Sequence, residues 1–112
     1  MLDVERLKDF GIDARQGLAR CMNNKVFFAK MLGMALKNPA FDQLEATLAA
    51  KDYETSFEHC HALKGVVGNL ALNTIYDPLS EMTEMLRAKK DVDYVAMYKP
   101  IKKIRDDLVA EL

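Results

Sequence analysis

The stretch from Tyr53 to Leu70 constrains what this chain can fold into more than any other. Phe57, Cys60, Leu63, Val67 and Leu70 recur at spacings of three and four residues, the repeat of one buried face of an α-helix. A second stripe runs beside it, because His61, Lys64, Gly65 and Gly68 stand at i, i+3, i+4 and i+7. A glycine costs roughly 1 kcal/mol relative to alanine in a helix interior. Two on one face predict that something comes close to this backbone.

The rest of the chain reads as helix too. Residues 1 to 10 suit a short helix with Leu2, Leu7 and Phe10 inward, stopped by Gly11. Asp13 is a candidate cap for a second short helix to about Cys21, with Leu18 as its anchor. Asn23 or Asn24 caps a helix from Lys25 to Lys37 that is apolar nearly all round: Val26, Phe27, Phe28, Met31, Leu32, Met34 and Leu36. Core coverage is the expectation for each of these, and an exposed docking patch is the alternative. Asn38-Pro39 either starts a new helix to Ala50 or kinks a longer one; Phe41, Leu44 and Leu48 supply its inner face. Lys51-Asp52 makes a tight link, with Asp52 capping the central helix.

Beyond Leu72, Asn73 could cap a helix to about Lys90, carried by Ile75, Leu79, Met82 and Leu86. Pro78 lies inside that pattern, so either the first turn is distorted or the regular helix begins at Asp77-Pro78. The last helix starts near Asp91 or Asp93 and presents Tyr94, Met97, Ile101, Ile104 and Leu108, with a kink expected at Pro100. No strand-like alternation or internal repeat interrupts the series. The expected fold is all-α: one domain over residues 1–112, an antiparallel four-helix bundle with one or two short N-terminal helices across one end.

Composition narrows the function classes. Half of the 112 residues are hydrophobic, with only five Gly and three Pro, which favours helices over sheet. A net charge of -1 argues against nucleic acid as a partner, and the basic run from Lys99 to Arg105, followed by Asp106 and Asp107, reads as a solvated face. Cys21 and Cys60 have no paired spacing and, without a signal peptide, read as free cytosolic thiols. Val26 to Leu36 is too short to span a bilayer. A soluble cytoplasmic monomer is the expectation.

Glu58, His59, Cys60 and His61 are all potential ligands, but consecutive helical residues point about 100° apart. His59 and His61 therefore cannot share an ion, no His-x-x-x-His pair exists, and neither a metal nor another cofactor is expected. A Cys60-His61 nucleophile pair fails on the same geometry. Cys60 falls in the apolar stripe as a core residue, and His59 at its edge as a structural one. His61 differs. An imidazole in water is mostly neutral at pH 7, and the neutral form is the nucleophile. Lys64, one turn on, could pair with an anion arriving at the ring, and the glycines leave room for a macromolecule. These features suit phosphoryl acceptance from a protein donor.

His61-Ala62-Leu63-Lys64-Gly65-Val66-Val67-Gly68-Asn69-Leu70 resembles the signature of histidine-containing phosphotransfer domains. Gly11-Ile12-Asp13 with Gly17-Leu18-Ala19-Arg20 is similar to the entry segment of many members, so the likeness covers essentially the whole chain. The resemblance implies that His61 is the phospho-acceptor, usually through Nε2, and that Lys64 offsets charge on the phosphoryl oxygens. It also implies docking of a receiver domain, or of a hybrid or other sensor histidine kinase, around Gly65, Gly68, Glu58 and parts of the Val26–Leu36 helix, including Lys30. The chain would then be a carrier without kinase activity of its own. One position departs: Ala71 stands where such domains usually have glycine, and altered turn geometry is expected there. A rival reading is an adaptor bundle that binds or blocks a receiver or kinase without being phosphorylated; a cofactor-binding bundle is a weaker third.

Overall fold

Short polar side chains decide where most of the helices begin. The computed structural model describes residues 4–112. Asp13 caps α1 (Ala14–Arg20), Asn24 caps α2 (Lys25–Leu36), Asp52 caps α4 (Tyr53–Asn69) and Asp93 caps α6 (Tyr94–Ala110), each side chain accepting from a backbone N–H of the first turn. Of the alternatives left open by the sequence, Asn24 and Asp93 are therefore the caps. α3 (Ala40–Ala49) is a separate helix and not the continuation of a kinked one: Pro39 occupies its cap position, and Asn38 Oδ1 accepts from the Ala40 N–H at 2.9 Å. α5 (Asn73–Arg87) corrects the expectation at Asn73. That residue is already helical, Leu72 holds the cap position without a side-chain bond, and Pro78 lies inside the helix. The missing proline N–H leaves the Thr74 carbonyl without its helical donor, yet the helix carries through. α6 likewise continues past Pro100 as one element. A 3-10 helix, Val4–Phe10, precedes α1, and the inward placement expected for Leu2 lies outside the described residues.

Left-handed residues end several helices. Met22, Asn23, Lys51, Ala71 and Lys89 all have φ between 55° and 59°. Each such non-glycine residue carries strain of roughly 1 kcal/mol. At Ala71 the structure overturns the expected change of turn. Alanine adopts the left-handed conformation itself, with the Leu72 N–H bonded to the Val67 carbonyl and the Ala71 N–H to the Gly68 carbonyl, both at 3.1 Å. These bonds satisfy carbonyls at the end of α4 as a glycine would.

α3, α4, α5 and α6 form a closed four-helix core in which each packs on two others, with α4 and α5 most closely joined. The expected inner faces are buried: Phe41, Leu44 and Leu48 on α3, Cys60, Leu63 and Val67 on α4, and Ile75, Leu79, Met82 and Leu86 on α5. Phe57 differs, being only half-buried beneath the Arg87 guanidinium, 5.2 Å from its ring centroid. On α6 Tyr98 enters the core, its hydroxyl donating to the Phe41 carbonyl at 2.8 Å, whereas Met97 and Ile104 are half-buried. The basic run on α6 is more than a solvated face. Arg105 is 11% exposed, lies 4.9 Å over the Phe41 ring and donates to Asp42 at 3.0 Å, while Lys102 reaches Glu45 at 3.4 Å.

The N-terminal helices pack across this core. The buried face of α1 is made of small residues, Ala14 and Gly17, with Leu18 only half-buried. A Cβ on Gly17 would collide with the Leu70 carbonyl and sit 2.7 Å from Phe28 Cε1, so the glycine lets α1 lie directly on the end of α4. α2 buries Phe28, Leu32, Ala35 and Leu36, but Val26, Phe27 and Met34 are 73%, 44% and 61% exposed. For those three residues core coverage was the wrong expectation: among the described residues the neighbouring helices leave that side of α2 uncovered.

Two substitutions test these points by thermal denaturation. Lys51→Gly relieves left-handed strain at an exposed site and should stabilise by about 0.5–1 kcal/mol, raising Tm by a few degrees. Gly17→Ala should destabilise by roughly 1–3 kcal/mol through overpacking against the α4 terminus.

Candidate functional site

One stripe of α4 is buried, which forces its opposite stripe outward. His61 is exposed at mid-helix, with Lys64 half-buried one turn on, Gly65 exposed and Gly68 half-buried. These four residues line a single open cleft of about 440 Å³, together with Gln16 and Arg20 of α1, Asn69 and Ala71 at the end of α4, and Asn73 and Tyr76 of α5. Three helices thus converge on one imidazole. None of the lining side chains is acidic.

Local contacts orient the group. The Phe57 ring, one turn before His61, lies 6.0 Å from the imidazole centroid at an interplanar angle of 30°. The Lys64 ammonium sits 6.0 Å from the centroid of Tyr76, a cation-π distance that holds the charge over the cleft. The Arg20 guanidinium donates to the Gly68 carbonyl, bringing a positive charge to the C-terminal end of α4, where the helix dipole favours one. The two glycines differ in their surroundings. A Cβ on Gly65 would meet nothing within 4 Å, whereas one on Gly68 would lie 3.0 Å from Tyr76 Cε2. Close approach at Gly68 therefore has an occupant within the chain, and only Gly65 leaves its space to something outside.

Of the residues singled out from the sequence, His61, Lys64, Gly65 and Gly68 come together. Glu58 is exposed one turn before His61, and Lys30 is exposed on α2; neither lines the cleft. Gln16, Arg20 and Tyr76 were missed as cleft residues. They lie on other helices, and no spacing rule within α4 reports them. Arg20 stood in the motif similar to the entry segment, but nothing in that motif says where its side chain goes.

His59 is half-buried and Cys60 fully buried, its Sγ 3.5 Å from the Leu79 carbonyl. Burial pushes the Cys60 thiol up to about 11, with weaker opposing pulls from Thr83 and Lys64, so it is no nucleophile near neutrality. Among the described residues no group of three His, Cys, Asp or Glu side chains could hold a metal ion, and no helix is long and apolar enough to cross a membrane.

The raised thiol has a consequence for stability. The unfolded chain releases this proton near pH 9, the folded one only near 11, so stability should fall by roughly 2 kcal/mol across that window. Tyr98, also pushed up by burial, adds to the loss from its own side. Urea denaturation at pH 8, 9, 10 and 11 checks this, and Cys60→Ala should flatten the thiol's part of the profile.

No protein-family model, curated protein sequence or solved structure matches this chain.

Proposed function

We propose that this protein is a phosphoryl carrier of the histidine-containing phosphotransfer type, moving a phosphoryl group between receiver-domain aspartates through His61. The observation that carries the reading is an exposed imidazole at mid-helix, on the rim of a cleft lined by basic and neutral polar side chains, with an uncovered glycine one turn away. The sequence from His61 to Leu70, similar to the signature of that family, supports it independently.

The chemistry follows from the groups present. A neutral imidazole protonated on Nδ1 has its lone pair on Nε2. Attack of Nε2 on the phosphorus of an aspartyl phosphate forms the N–P bond, and the P–O bond to the aspartate breaks. The carboxylate leaves with the electron pair, while Nδ1 keeps its proton. The reverse sequence loads the next receiver. Lys64 faces the phosphoryl oxygens and offsets their charge as they cross. The receiver supplies the metal and most catalytic groups, so the bundle needs only an accessible nucleophile. The open space at Gly65 lets the receiver's site close over the ring.

Transfer from a radiolabelled phospho-receiver, screened over a panel of receiver domains, tests the reading. Wild type should acquire an acid-labile, base-stable adduct, and His61→Gln should acquire none; label retained on His61→Gln overturns the assignment. Equal receiver binding by both proteins with label on neither would instead establish a non-phosphorylated adaptor. Gly65→Gln separates fold from function. It should gain about 0.5 kcal/mol or more in stability, because any ordinary residue is a better helix former. It should nonetheless slow transfer about tenfold or more by obstructing the approach.

A further inference from the structure

Arg20 is a second cationic side chain, beside Lys64, in the lining of the cleft. It comes from α1, a helix of only seven residues that Gly17 allows to lie against the Leu70 carbonyl. Gly17 and Arg20 are three residues apart, so the helix turn that makes the close approach also sends the guanidinium into the cleft. There it donates to the Gly68 carbonyl. That carbonyl already accepts from the Ala71 N–H at 3.1 Å, so the backbone does not depend on Arg20 for a partner. The side chain has no carboxylate partner among the ion pairs of the described residues and is exposed. It shares the cleft with His61 and Lys64, and Glu58 of α4 and Asp77 of α5 are exposed and outside the lining. A guanidinium carries five donors in a planar fork suited to phosphoryl oxygens, and a single carbonyl uses few of them.

We infer that Arg20 is a second phosphoryl-binding cation of this site: it rests on the Gly68 carbonyl while His61 is free and turns its fork to the phosphoryl oxygens once His61 is phosphorylated. This rests on the carrier reading above and adds to it a residue from outside α4. Two cations, one on the active helix and one delivered by α1, then share the charge of the bound group. The exchange also ties the state of His61 to the anchoring of α1. The hydrogen bond that pins Arg20 to the end of α4 is given up when the phosphoryl group arrives.

The test uses the intact protein phosphorylated chemically with phosphoramidate, with the adduct mapped to His61 and its titration followed by ³¹P NMR. A cation within a few ångströms favours the doubly charged phosphoryl group. In wild type and Arg20→Lys the phosphoryl group should therefore titrate at lower pH than in Arg20→Gln, by roughly half a unit or more. Glutamine can still donate to the Gly68 carbonyl but has no charge, so a purely structural role predicts no difference between Arg20→Gln and wild type. Equal titration in all three proteins overturns the inference. A measurement on wild type alone guards against a variant that folds poorly: the Arg20 Nε–H resonance should move on phosphorylation, and a resonance that stays in place also overturns it. If wild type carries no adduct on His61 from either phosphoramidate or a phospho-receiver, the carrier reading falls and this inference with it. An adduct on His61 with titration unaffected by Arg20 removes the inference alone.

Discussion

Burial of one stripe of α4 is the constraint on which the rest of the molecule depends. Ser56, Cys60, Leu63 and Val67 are each fully buried, and each fully enclosed aliphatic side chain contributes about 1.5–3 kcal/mol relative to exposure. This packing fixes the rotation of the helix about its own axis. With that rotation set, His61 cannot be anywhere but outside, and Lys64 and Gly65 must follow on its side. The same seam gathers the neighbouring helices, because α3 and α5 bury their own apolar faces against it. Buried polar groups are accommodated along it: Ser56 and Thr47 share a hydrogen bond at 2.8 Å between α4 and α3, and Thr83 Oγ1 donates to the Leu79 carbonyl at 2.6 Å.

The end of α4 is where structure and candidate function meet. Val67 and Gly68 carbonyls receive the closing turn through Ala71 and Leu72, Gly17 of α1 presses against the Leu70 carbonyl, and Arg20 reaches the Gly68 carbonyl. A residue in left-handed conformation is needed to turn the chain from α4 into α5, and that turn brings Tyr76 beside Gly68 and Lys64. The strain at Ala71 is small beside the burial energy of the two helices it connects. The packing therefore wins, and the backbone takes the conformation that alanine alone would avoid.

How much could be read in advance follows from the range of each interaction. The three-and-four spacing, the Asp13 and Asp52 caps and the tight link at Lys51-Asp52 are local, and the corresponding helices stand where the sequence put them. Asn73 misled because Asn is a common cap, whereas here the tight turn through Ala71 starts the helix a residue earlier. Tyr98 and Arg105 lay outside the apolar pattern of α6 because its three-and-four spacing passes from Met97 to Ile101 without Tyr98 and treats a charge as outward-facing. A carbonyl acceptor on Phe41 and its ring face make their burial tolerable. The exposure of Val26, Phe27 and Met34 was illegible because an all-apolar helix says that it can be covered, not which of its sides the neighbouring helices reach.

The sequence by itself determined the all-helical fold, the inward face of α4 and hence the outward set of His61, Lys64 and Gly65, because helical periodicity converts spacing directly into direction. It also carried the motif on which the phosphotransfer resemblance rests. Tertiary structure alone decided that Gly68 makes room for Tyr76, that Ala71 turns left-handed, and that α1 lies close enough to bring Arg20 to the cleft. Those contacts join residues far apart in the chain. Their geometry follows from how whole helices pack, and no local pattern encodes it.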